Sequence, residues 1–141
     1  MISFLKKLVV VFGLLSFLTL AVTGFVPYFF FGGMVSGYWL IIHVIAGGFF
    51  SACAAGWAVL YAERNLFGSG GITAKLCFWI VVVLSLAVIL SVLLSMFKLF
   101  GTDWQKILLQ THLYGTMALS LFVIAYLYLL AKSKTAQTPT K

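Results

Sequence analysis

The chain has 141 residues, of which 64% are hydrophobic and 8% charged, and its mean hydropathy is +1.20. That balance excludes a water-soluble domain, because the apolar runs are the length of membrane spans. The formal charge of +7 does not point to nucleic acid: the basic residues sit at the ends of apolar runs, where they set orientation in a membrane.

The first apolar run is expected as a span over residues 4–25. Its Lys6–Lys7 pair and apolar core imitate a signal peptide. The run is longer than an h-region, however, and no small-x-small cleavage site follows, so it is expected as a retained helix. Val26, Pro27 and the glycines at 32, 33 and 37 then break the pattern. A second span is expected over 37–62, followed by the hairpin loop ERNLFGSGG. A third, with Thr73 as N-cap, is expected over 73–97, and a fourth over 104–131 after the link KLFGTD. The tail 132–141, KSKTAQTPTK, is polar and expected to be disordered.

Each run reaches the roughly 20 residues that a helix needs to cross a bilayer. The expected fold class is all-α, an integral membrane up-down-up-down four-helix bundle. Lys6, Lys7, Arg64, Lys75, Lys132, Lys134 and Lys141 fall on one side of that arrangement, and Lys98, Asp103 and Lys106 on the other. By the positive-inside rule both termini are cytoplasmic. The expected location is the inner membrane of a bacterium.

The two cysteines, Cys53 and Cys77, stand in different spans, with no C-x-x-C and no C-x-x-C-H. That spacing argues against a thiol relay and against covalently attached haem. Both read as small buried hydrophobes.

The chemistry rests on two histidines. His43 lies about six residues inside the outer end of span two and His112 about eight inside that of span four, so both sit about 10 Å deep. An ionisable group inside a span marks a functional site by default. The bland reading is a pair of interhelical hydrogen bonds to Ser or Thr. Matched depth and the absence of any other histidine favour a shared ligand. Zinc needs four ligands, or three and water. Cys53, Cys77, Glu63 and Asp103 are all too far along the chain or in loops to complete such a set. Haem iron needs only two axial ligands from protein. Gly47 and Gly115, four and three residues past the histidines, leave room for a large flat ring, and otherwise read as close helix packing. Ser91 and Thr19 or Thr23 are at the right depth to orient an imidazole, their bland role being a bond to their own helix carbonyl. Lys98, Lys106, Trp104, Gln105 and Tyr38 cluster at the outer ends, where haem propionates would meet them. The bland reading of the two lysines is interfacial snorkelling. Asp103 is a candidate proton acceptor for a quinone, or a cap of span four.

With these residues in view, the chain resembles the four-helix membrane cytochromes b. The resemblance covers nearly the whole length as a pattern of spans and histidines. In the quinol-oxidising type, helices two and four each carry two histidines about 14 residues apart, and two haems stack across the membrane. His43 and His112 match the pair that holds the outer haem. Fourteen residues further on stand Trp57 and Tyr126, so the resemblance implies a one-haem version. Of the family's helix-one and helix-three glycines, Gly13 and Gly24 are present in span one, while span three carries Ser85, Ser91 and Ser95. The stretch LLSMFKLFGTDWQKILLQTHLY is also similar to small four-span bacterial proteins of cytochrome b type.

The resulting expectation is an electron-transfer subunit with one non-covalent bis-histidine haem b. It would link a quinone pool to an outer-side partner subunit such as a multihaem cytochrome c or an iron–sulfur protein. The competing expectation is a cofactor-free structural or assembly subunit. A transporter is disfavoured, since no acid or arginine lies mid-span to couple an ion.

Overall fold

The computed structural model describes residues 2–30, 36–68, 71–97 and 101–135. They form four α-helices: α1 over Ile2–Phe30, α2 over Gly37–Phe67, α3 over Ile72–Met96 and α4 over Thr102–Thr135. All four are long and apolar enough to cross a membrane. Exposed large apolar side chains occur on every helix, from Phe12 and Leu18 to Leu121 and Tyr128. Helices apolar all round belong in lipid, where the intrahelical ladder also satisfies the backbone.

The helix ends differ from those expected, for local reasons. α1 runs through Pro27, which has no N–H to give the Thr23 carbonyl four residues back. α2 continues through Glu63, Arg64 and Asn65 and stops at Gly68, whose N–H bonds the Arg64 carbonyl at 2.9 Å. A Cβ at Gly68 would collide with that same oxygen. α2 starts on Gly37 at φ +58°, a left-handed conformation that favours glycine. Thr73 is not the N-cap of α3; Gly71 is, and no side chain caps it. α4 begins at Thr102, which puts Asp103 one residue inside the first turn. There it complements the helix dipole instead of capping. α4 also runs on to Thr135, four residues into the segment expected as a disordered tail; residues 136–141 lie outside the described ones.

The chain divides into two compact units, Met1–Glu63 and Arg64–Lys141. In the first, α1 meets the body of α2 through pairs whose numbers run oppositely. Lys6 lies 5.5 Å from the Tyr61 ring centre, Gly13 meets Cys53, Phe17 packs on Phe50 and Gly24 meets His43. A Cβ at Gly13 would stand 3.3 Å from Cys53 Cβ, so this is a small-residue contact of the kind that lets membrane helices approach.

In the second unit α3 buries one stripe: Phe78, Val81, Ser85, Val88 and Ser91. The spacing of three and four is that of a single helix face. Phe78 and Leu119 are essentially sealed from solvent, and Tyr126 of α4 packs on Phe78 with ring centres 6.2 Å apart. Tyr126 stands fourteen residues past His112. That level of the hairpin is filled by aromatic packing, with Trp79 edge-on to Phe78 at 5.3 Å.

Candidate functional site

Each hairpin builds an environment around one histidine. In the first, His43 is half-buried on α2, and its Nδ1 lies 2.8 Å from the hydroxyl oxygen of Thr23 on α1. Thr23 is 3% exposed. Its hydroxyl also lies 2.7 Å from the Thr19 carbonyl oxygen. A carbonyl can only accept, so a hydroxyl hydrogen placed on the Thr19 carbonyl leaves the Thr23 oxygen to face Nδ1 as an acceptor. The Thr23 oxygen then accepts from His43, and Nδ1 carries the proton. In the neutral ring the lone pair is therefore on Nε2.

Gly24 makes room for this ring. A Cβ there would come within 3.2 Å of His43 Cε1 and 3.8 Å of Nδ1. Gly47, expected to flank a flat ring, is less constrained: a Cβ would meet only Leu20 Cδ2, at 3.9 Å. At Gly48 a Cβ would meet nothing within 4 Å.

In the second hairpin, His112 on α4 is half-buried, and its Nδ1 lies 3.3 Å from the main-chain oxygen of Val88 on α3. The carbonyl again fixes the direction: Nδ1–H donates, and the neutral ring keeps its lone pair on Nε2. Ser91 donates to the same Val88 oxygen at 2.7 Å. Ser91, expected to orient an imidazole, instead bonds its own helix and shares an acceptor with His112. Gly115 lets the helices close: a Cβ there would fall 2.9 Å from Val88 Cγ2. Its place is helix–helix approach, and that approach delivers the Val88 carbonyl to His112.

Five further hydroxyls donate within their own helix. Thr19 donates to Leu15, Ser51 to Gly47, Ser95 to Val92, Thr116 to Leu113 and Ser120 to Thr116, all at 2.7–2.9 Å. Thr23 does this and also faces Nδ1 of His43 on the neighbouring helix.

At the start of α4, Trp104 and Lys106 are exposed. They lie eight and six residues up the helix from His112, about 12 and 9 Å. Gln105 is half-buried, Asp103 is exposed and Tyr38, at the start of α2, is 85% exposed. Lys98 lies outside the described residues. Beside His112, α3 and α4 leave a groove of about 450 Å³, lined by Leu84, Ala87 and Val88 on one side and Gln110, Thr111 and Tyr114 on the other. Among the described residues, no three His, Cys, Asp or Glu side chains gather into a metal-binding group. Cys53 and Cys77 are unpaired thiols, both half-buried.

Two elements escaped sequence reasoning. The Val88 acceptor is main chain, and no residue type announces it. Gly24 had a signal: it precedes Phe25 near the end of span one, where an antiparallel return places span two's first turns, hence His43. Comparison with family models, with curated proteins and with solved structures gives no match.

Proposed function

We propose that this chain is a membrane electron-transfer subunit that holds one non-covalent haem b, with His43 and His112 as the axial ligands. The observation that carries this is the state of the two imidazoles. In both, Nδ1–H is donated to a group on the neighbouring helix of the same hairpin, and the neutral ring has its basic lone pair on Nε2. A histidine that ligates metal almost always donates its other N–H in this way, which fixes its tautomer and raises its basicity. The donor chemistry therefore fits a bis-imidazole haem. Position along the helices supports it: His43 is six residues past the start of α2 and His112 ten past the start of α4.

A haem with two histidine ligands supplies one-electron transfer, at a potential set by burial and by hydrogen bonds to the ligands. The chain's own contribution is to hold two Nε2 atoms basic and oriented, and to exclude water with apolar helices. Tyr126 and Phe78 occupy the level where a second pair of ligands would stand, which supports one haem over two. Lys106, Trp104 and, beyond the described residues, Lys98 are the candidates to meet the propionates. The quinone belongs in the groove beside His112, where Gln110, Thr111 and Tyr114 offer polar groups among apolar neighbours. The topology we propose is up-down-up-down in a bacterial inner membrane, with both termini cytoplasmic and the histidines in the outer half. The outer-side partner is a redox subunit such as a multihaem cytochrome c or an iron–sulfur protein.

The alternative is a cofactor-free scaffold subunit. It has one observation in its favour: each histidine is already hydrogen-bonded within its own hairpin. Haem content separates the two. Purified chain from cells supplied with haem should carry one acid-extractable haem per chain. A chain that carries none under those conditions is the scaffold.

A further inference from the structure

The two histidines are held by acceptors of different quality. His43 donates to a hydroxyl that in turn donates to a carbonyl, a chain of two bonds at 2.8 and 2.7 Å. Hydrogen bonds in such a chain polarise one another, and the hydroxyl oxygen becomes a better acceptor because its own hydrogen is engaged. His112 donates over 3.3 Å to a carbonyl that already accepts from Ser91 at 2.7 Å. The acceptor capacity at Val88 is divided, and the bond to His112 is at the long end of hydrogen-bonding range.

We propose that Thr23 is a positioning residue for His43, and that the relay from His43 through Thr23 to the Thr19 carbonyl fixes the ring's orientation and holds its proton on Nδ1. Two features locate this role in Thr23 itself. It is buried to 3% exposure, so water does not replace its hydroxyl. Gly24, the next residue, leaves space for the ring to lie this close to α1, since a Cβ would stand 3.2 Å from Cε1. The consequence for a bound haem rests on the function proposed above; the consequence for the histidine itself does not.

The test uses the full chain in two states. In the cofactor-free chain, ¹⁵N NMR of labelled histidine reads the proton position directly. His43 is expected to carry its proton on Nδ1 in the wild type and in Thr23→Ser. In Thr23→Val the proton redistributes toward Nε2. A wild-type His43 protonated on Nε2 overturns the inference without any variant, as does Thr23→Val with His43 still wholly in the Nδ1–H form. In haem-loaded chain, loss of the Thr23 acceptor weakens donation to iron, so Thr23→Val raises the midpoint potential and Thr23→Ser restores it. Ser91→Ala leaves the Val88 carbonyl to His112 and shifts the potential the other way. Equal potentials in wild type and Thr23→Val overturn the inference while the haem assignment stands. A chain that binds no haem overturns that assignment and leaves the NMR result to decide the role of Thr23.

Discussion

The α1–α2 hairpin and the α3–α4 hairpin solve the same problem with different materials. The first holds His43 by a side chain, the Thr23 hydroxyl, and admits the ring over a glycine on the facing helix. The second holds His112 by the Val88 main chain and uses Gly115 to bring that main chain near. Packing follows suit. The α3 stripe seals Phe78 at 0% exposure, whereas the first hairpin relies on small residues such as Gly13 against Cys53. A side-chain acceptor can be removed by one substitution. A main-chain acceptor can only be displaced, by changing the spacing of the helices that deliver it.

The largest effects should come from the histidines. His43→Gln and His112→Gln each remove one proposed ligand nitrogen while keeping a polar side chain of similar size, and each should abolish haem binding. Loss in only one of them would break the symmetry between the hairpins. Next is Phe78→Ala in the sealed stripe. Emptying a fully buried ring costs about 3–5 kcal/mol, read as a lower thermal midpoint in detergent. The haem signal of the surviving folded fraction should be unchanged.

The two glycines sharpen the contrast. Gly24→Ala pushes directly on the His43 ring, and should lower haem content more than thermal stability. Gly115→Ala pushes on Val88 and hence on helix spacing, and should lower thermal stability by about 1–3 kcal/mol, as overpacking does, with haem loss following. The smallest effect is expected at Gly37, which starts α2 at φ +58°. Gly37→Ala should cost about 1–2 kcal/mol for the left-handed conformation and leave any haem spectrum untouched.

Much of the fold was legible in the sequence because length and apolarity alone decide a span. The four helices fall where the four apolar runs do. Their ends were less legible. Pro27 reads as a breaker, but α1 continues through it to Phe30. The charges at Glu63 and Arg64 read as a loop, but charged residues are good helix formers, and the stop falls at Gly68. Around the site, the histidines stand out by type in an apolar chain. Thr23 could be narrowed to a pair with Thr19 by depth, and only geometry separates them, since Thr19 bonds Leu15. Ser91 and Gly115 were legible as positions but not as roles. One shares an acceptor with His112 and the other spaces the helices, and both depend on a carbonyl that no side chain encodes.

The central claim is that His43 and His112 together hold one haem b. It is tested most directly by a dithionite-reduced minus oxidised absorption spectrum of the purified chain, recorded beside His43→Gln and His112→Gln. The account predicts a sharp b-type spectrum at one haem per chain in the wild type and its loss in both variants. A colourless wild-type chain from haem-supplied cells, or a spectrum that persists in either variant, would contradict it.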